Sequence, residues 1–204
     1  MYLSRLQLDT RSREARRDLA DPYQMHRTLT RAFASTTDAA PADRFLWRLE
    51  PGLTGQRPVV LVQSPRPGEW GVLNDKPSYL VGEVATKAMT WEPWPPAGTK
   101  LRFRLFANPT VTRAGRRYGL MAEEAQLQWL ERQGARHGFA LEAAIVTGND
   151  RLIGRKGDTV IQIQRVSFEG HLTLLETERF RCALEQGIGP AKALGCGLLS
   201  VARR

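Results

Sequence analysis

Hydrophobic and polar positions alternate with period two at the start of the chain. Tyr2, Leu6 and Leu8 fall on one face and Leu3, Arg5 and Gln7 on the other, which predicts a strand over residues 2–8. The period then lengthens to that of a helix. Ser12 is placed to cap a short basic helix, and Asp21-Pro22-Tyr23-Gln24 opens a second, with an acid at the cap, proline in the first turn and glutamine three residues beyond the cap. Met25, Leu29, Ala32 and Phe33 form the apolar stripe of this second helix at i, i+4, i+7 and i+8. Strands are predicted at residues 44–49 and 58–63, the latter holding Val59-Val60-Leu61-Val62, with Pro51-Gly52 and Gly55 marking the turn between them.

Residues 70–89 follow neither period. The run Trp91-Glu92-Pro93-Trp94-Pro95-Pro96-Ala97-Gly98 can neither helix nor pair as a central strand, because proline lacks the N–H and clashes with the preceding turn. The domain boundary is placed there: an N-terminal domain over residues 1–92, a proline-rich linker over 93–99 and a C-terminal domain over 100–204. Alternation resumes at residues 100–108, where Leu101, Phe103 and Leu105 oppose Lys100, Arg102, Arg104 and Phe106. Residues 122–132 read as a helix with Leu127 and Leu130 inward, residues 159–168 and 171–175 as a hairpin about Glu169-Gly170, 176–185 as a helix and 198–202 as a closing strand. This is the β-α-β-β-α-β order of a ferredoxin-like unit. The first half begins β-α-β-β and completes the same unit with a weak helix and a strand near residues 80–86. The fold class is therefore α+β, although no residue-level repeat relates the halves.

Composition sets ordinary globular bounds: 204 residues, 42% hydrophobic and 25% charged, excluding collagen-like, disulfide-scaffold and wholly disordered chains. Charge changes the picture, since 30 Lys+Arg against 21 Asp+Glu gives +9. A polyanion, most often nucleic acid, is the first partner this suggests. Arginine makes up 25 of the 30 basic residues, and its planar fork pairs phosphate in bidentate fashion and stacks on bases. High-GC codon usage enriches arginine too. No apolar run of about 18 residues is present to span a bilayer, and the first residues lack the basic-then-apolar pattern of a secretory signal, so a cytoplasmic location is expected. Cys182 and Cys196 make no disulfide framework. With three scattered histidines and no CxxC, neither a metal site nor a cofactor is expected.

Three constellations could carry chemistry. On the second helix Tyr23 and His26 are i and i+3, while Tyr23, Arg27 and Arg31 repeat every four residues. A half-buried imidazole beside a phenol and two guanidiniums can bind a phosphodiester and move a proton, and the same spacing also serves plain packing. The second is Gly187-Ile188-Gly189-Pro190-Ala191-Lys192-Ala193-Leu194-Gly195-Cys196-Gly197, whose Gly187, Gly189 and Lys192 could approach phosphate. The alternative is a glycine-rich bend delivering an edge strand. The third is a pair of basic loops, Arg113, Arg116 and Arg117 around Ala114-Gly115, and Arg151, Arg155 and Lys156 before Gly157. Such loops suit a nucleic-acid groove, or are simply solvated. Trp91 and Trp94 could stack on bases, or pack the linker onto its own domain. His137 and His171 lack partners at short spacing and are taken as structural.

Several segments together resemble one family. Ala15-Arg16-Arg17-Asp18-Leu19-Ala20-Asp21-Pro22-Tyr23-Gln24-Met25-His26-Arg27-Thr28-Leu29, Leu46-Trp47-Arg48-Leu49-Glu50, Val59-Val60-Leu61-Val62-Gln63-Ser64, Leu101-Arg102-Phe103-Arg104-Leu105, Ala107-Asn108-Pro109 and residues 187–201 are similar to the CasE family, CRISPR-associated endoribonucleases of the type I-E Cascade. The resemblance spans nearly the whole chain. It implies two tandem ferredoxin-like, RRM-like domains and metal-independent cleavage of CRISPR repeat RNA at the base of its stem-loop. The implied partners are that RNA stem-loop and the other Cascade subunits, with no membrane and no direct contact to DNA. The family's catalytic Tyr and His fall on Tyr23 and His26. A lysine that the family often carries further along this helix matches Arg31, a poorer proton donor. Arg16, Arg17 and Arg27 lie close by as RNA-binding candidates, and the family's basic hairpin loop maps onto Arg151, Arg155 and Lys156.

Overall fold

The computed structural model describes residues 1–34, 44–52, 56–90 and 92–203; Gly55 and Trp91 lie outside the described residues. The chain divides into two compact units, the first comprising Met1–Thr90, Ile153–Ile161 and Ala193–Gly195, the second Trp91–Leu152, Gln162–Lys192 and Cys196–Arg204.

In the first unit a four-stranded antiparallel sheet runs in the order β2-β3-β1-β4, built from β1 (Tyr2–Gln7), β2 (Leu46–Leu49), β3 (Val59–Ser64) and β4 (Ala85–Ala88). Helices α1 (Arg13–Ala20) and α2 (Pro22–Thr30) follow β1. The second helix of a ferredoxin-like unit is shortened to one 3-10 turn, Trp70–Leu73. Register places Leu6 opposite Val60 and Ser4 opposite Val62, and these side chains share the core with Met25, Leu29, Phe33, Phe45, Trp47 and Trp70. Full burial of a Val, Leu or Phe side chain contributes roughly 1.5–3 kcal/mol over leaving it in water, so this even-numbered face of β1 fixes the register.

The second unit repeats the order as β10-β5-β9-β8, from β5 (Lys100–Ala107), β8 (Phe139–Lys156), β9 (Thr159–Leu174) and β10 (Leu199–Arg203). The hairpin of β6 (Thr110–Arg113) and β7 (Arg116–Gly119) precedes α3 (Glu123–His137), and α4 (Thr177–Gln186) precedes β10. Leu101 and Leu105 oppose Leu172 and Phe168 in the buried layer, and Phe139 meets Phe180 edge-on at 5.9 Å. The chain is thus α+β with two ferredoxin-like sheets in tandem.

Two expectations need correcting. The long β8–β9 hairpin turns at Gly157, which has φ +57° and whose tip segment Ile153–Ile161 belongs to the first unit, and Glu169-Gly170 lies inside β9. Gly170 is there for a packing reason: a Cβ on it would meet the Ala143 carbonyl oxygen at 2.0 Å, so only glycine admits the neighbouring backbone. Leu127 is only half-buried; Gln126, Trp129 and Leu130 form the buried face of α3. Phe106, on the same strand face as Arg102 and Arg104, is buried and has the Arg165 guanidinium over its ring at 5.3 Å. Trp94 lies under the guanidinium of Arg181 at 5.7 Å, so it packs within its own unit.

Candidate active site

Asp21 sets the geometry of the site. Its backbone is extended, and its Oδ1 accepts from the N–H of Tyr23 at 2.8 Å and of Gln24 at 3.4 Å, closing the first turn of α2 above Pro22. Its other oxygen, Oδ2, accepts from the backbone N–H of Arg155 at 3.2 Å. One carboxylate therefore caps the helix and also pins the tip of the β8–β9 hairpin. Gly154 makes the approach possible: a Cβ there would lie 3.3 Å from Tyr23 Cβ and 3.4 Å from Asp21 Oδ1. Tyr23 and the base of the basic tip are held together by backbone, and Arg155 and Lys156 extend from it with exposed side chains.

His26 lies one turn beyond Tyr23. Its imidazole stacks on Phe45, ring centroids 5.1 Å apart and planes 26° from parallel. Nδ1 is buried and has no hydrogen-bond partner among the described residues, which leaves Nε2 as the nitrogen for proton exchange. Burial holds the imidazole below its ordinary pKa, so the ring is neutral at pH 7 and able to accept a proton. Both Tyr23 and His26 are half-buried on a rigid helix, the arrangement acid–base chemistry needs.

The candidate cations separate into engaged and free. Arg16 donates to the carbonyls of Thr10 and Arg11 at 2.8 and 2.9 Å. Arg17 donates twice to Asp18 Oδ1, at 2.9 and 2.6 Å, and the buried Asp18 accepts on Oδ2 from the Tyr79 hydroxyl at 2.8 Å. Burial and the neighbouring Asp18 push the Tyr79 phenol up, so it stays a donor. Arg31 closes on Asp75 at 3.2 and 2.7 Å and on the Val72 carbonyl at 2.8 Å, bracing the end of α2 instead of standing open to a phosphate; its guanidinium holds the Asp75 carboxyl below its ordinary range. Arg27 is exposed and makes no hydrogen bond or ion pair among the described residues.

The glycine-rich segment is folded for packing. Gly187 donates its N–H to the Ala183 carbonyl, Ile188 to Gly197 and Gly197 to Phe106, at 2.9, 2.9 and 2.6 Å. A Cβ at Gly189 would meet the Trp129 ring at 3.0 Å, so the backbone of Gly187 and Gly189 serves the bend before β10. Lys192 opens the short 3-10 turn Lys192–Leu194. Further along, Gly195 lies against Trp47, whose indole N–H donates to the Ala193 carbonyl at 3.3 Å. In the second unit, Arg113 and Arg116 pair directly across the β6–β7 turn, with Arg117 next along, all three exposed. Arg151 donates to Gln162 across the β8–β9 ribbon.

Sequence reasoning missed Phe45, Asp75 and Gly154. A signal existed for Gly154, because a lone glycine inside a strand flanked by arginines marks a close backbone approach. Among the described residues no three His, Cys, Asp or Glu side chains gather as a metal ligand set, and no helix is long and apolar enough to cross a membrane.

A family model described as CRISPR associated protein matches residues 1–203. The CRISPR-associated endoribonuclease Cse3 of Thermus thermophilus is 38% identical, over 99% of this chain and 100% of its own. The Cascade subunit CasE of Escherichia coli is 31% identical, over 99% of each. A solved structure of Thermus thermophilus Cse3, bound to an RNA representing a pre-cleavage complex, superimposes with a TM-score of 0.88 at 40% identity, covering 98% of each chain.

Proposed function

The chain belongs to the CRISPR-associated protein family that includes Cse3 and CasE, and from that premise we propose that it cuts CRISPR precursor RNA at the base of the repeat stem-loop, without a metal ion, and stays bound to its product. It is an endoribonuclease that works with RNA and the other subunits of Cascade. One observation supports the finer reading most: the carboxylate that caps the helix carrying Tyr23 and His26, Asp21, also holds the backbone of Arg155 in the cationic tip.

In this reading the 2′-hydroxyl on the 5′ side of the scissile phosphate attacks phosphorus in line. The P–O5′ bond breaks, the 2′ proton leaves, and a proton is delivered to O5′, giving a 2′,3′-cyclic phosphate and a 5′-hydroxyl. His26 Nε2 moves the proton, Tyr23 orients the reacting oxygen or the phosphate, and Arg27 stabilises the developing charge, since Arg31 is already bound to Asp75. An RNA duplex is recognised by backbone shape and 2′-hydroxyls. Exposed guanidiniums on narrow β-ribbons, at Arg151 and Arg155 with Lys156 and at Arg113, Arg116 and Arg117, suit that surface.

The test is cleavage of the cognate repeat hairpin and of an unrelated hairpin in EDTA. The cognate hairpin is expected to be cut once, at the stem base, to a 5′-hydroxyl product that stays bound, while the unrelated one survives. Dependence on magnesium, or equal handling of both hairpins, would overturn the proposal; binding without cleavage would favour a non-catalytic RNA-binding subunit. Replacing Arg151, Arg155 and Lys156 with glutamine is expected to weaken binding by about 10-fold or more at moderate salt and to flatten its salt dependence, by roughly 0.7–0.9 in log–log slope for each phosphate that is no longer neutralised. Cleavage at saturating enzyme should change much less. An unchanged affinity in a filter-binding titration removes this hairpin from the interface.

A further inference from the structure

Acid–base histidines are usually oriented by a hydrogen bond from the second ring nitrogen to a carboxylate or carbonyl. His26 has none among the described residues, because its Nδ1 is buried without a partner. What holds the ring is a face. Phe45 stacks on the imidazole at 5.1 Å and on Phe33 at 4.9 Å, and Phe33 meets Trp70 edge-on at 5.7 Å.

The far end of this column is anchored. Trp70 donates its indole N–H to Ser4 Oγ at 3.2 Å, and Ser4 Oγ is 2.9 Å from Thr86 Oγ1, so the last ring is fixed to β1 and β4. Gly68 closes the side: a Cβ on it would lie 2.9 Å from Trp70 and 3.1 Å from Phe33. Arg66 lies over Phe33 and donates to its carbonyl oxygen. Phe45, Phe33 and Trp70 are all buried, so close packing restrains the three rings behind the imidazole.

We propose that Phe45 is a positioning residue for RNA cleavage: its ring fixes the plane of the His26 imidazole, and with it the direction in which Nε2 meets the RNA. The inference rests on His26 being the residue that moves the proton. A terminal imidazole torsion is broad and roughly two-fold when nothing restrains it, and a misplacement of about 1 Å can cost about 10²-fold in rate. Stacking on an apolar face also keeps water from one side of the ring. Among the described residues the cause of the lowered His26 pKa is burial.

Phe45→Leu keeps apolar volume under Phe33 and removes the flat face, and Phe45→Tyr keeps the face. Three measurements on the full chain decide: the single-turnover rate on the repeat hairpin at saturating enzyme, the affinity for a non-cleavable deoxy-substituted hairpin, and the NMR titration of the His26 ring, assigned by its loss in His26→Ala. Phe45→Leu should slow cleavage about 10-fold or more, leave affinity unchanged and raise the His26 pKa toward its ordinary value, while Phe45→Tyr restores both rate and titration. Wild-type rate and titration in Phe45→Leu overturn the proposal. So does a slowing that merely follows a lowered melting temperature and disappears on cooling. If Phe45→Leu fails to fold, Phe45→Met takes its place with the same expected outcomes. Should His26→Ala cleave normally, the assignment of His26 fails, and the titration still reports whether Phe45 governs its ring.

Discussion

His26→Ala is expected to lower the single-turnover rate on the cognate hairpin by about 10²–10⁴-fold, the range that general acid–base catalysis supplies, and to leave the affinity for RNA within a few-fold of wild type. Binding survives because the free cations lie elsewhere: Arg27 on the exposed side of α2, and Arg155 and Lys156 on a ribbon fixed through Asp21 and backbone. The fold should survive because the imidazole is only half-buried and its Nδ1 gives up no hydrogen bond among the described residues, while Met25 and Leu29 carry the packing of the helix. The pH profile should agree. Burial lowers the His26 pKa, so the neutral form dominates at pH 7, and if this form accepts the 2′ proton the rate falls as pH drops through that lowered pKa. A variant that cuts at the wild-type rate, or wild-type cleavage that begins to fall only above the ordinary histidine range, would remove His26 from proton transfer.

The helix that carries the site was legible because its signals are local. Asp21 as cap, Pro22 in the first turn and the Met25/Leu29 stripe all lie within one short segment, and each is realised in α2. The β8–β9 ribbon hid itself for the opposite reason. Along β8 half-buried Ala144 and Gly148 alternate with exposed Ile145 and Thr147, so hydropathy does not follow burial and no period of two marks the strand, and Gly170 mimicked a turn where it admits a neighbouring strand. Long-range partners were illegible in principle. Arg155 meets Asp21 across 134 residues and Arg31 meets Asp75 across 44. By helical spacing alone Arg31 was equivalent to Arg27; a distant carboxylate and a carbonyl separate a brace from a free cation.

That separation also qualifies what the +9 charge says. Arg16, Arg17 and Arg31 are close to the site in sequence, yet each spends its donors on the protein's own oxygens. Arg17 is held by a carboxylate that also receives the Tyr79 hydroxyl, so part of the basic surplus builds the platform under α2. In the proposed reading, the cations that meet RNA are those on the exposed face of α2 and on the two ribbons. A narrow ribbon carrying cations fits a groove between phosphates better than a diffuse basic surface does.

Deoxyribose in place of ribose at the single nucleotide on the 5′ side of the scissile phosphate is expected to abolish cleavage, while the hairpin binds as tightly as before. This loss exceeds any expected from a side-chain substitution, because in the proposed mechanism it removes the nucleophile itself. In that mechanism Tyr23 and His26 orient an oxygen and move its proton, and neither is the nucleophile. The same substitution one nucleotide to either side leaves the rate within a few-fold, since a 2′-hydroxyl missing there removes at most one hydrogen bond to the RNA backbone. The outcome also separates two chemistries. If water were the nucleophile, the deoxy hairpin would still be cut and no 2′,3′-cyclic phosphate would form. Denaturing gel analysis of both hairpins, with the 3′ end of the upstream fragment identified by mass, reads nucleophile and product together. A cut deoxy hairpin would overturn attack by the 2′-hydroxyl and, with it, the role given to His26 Nε2.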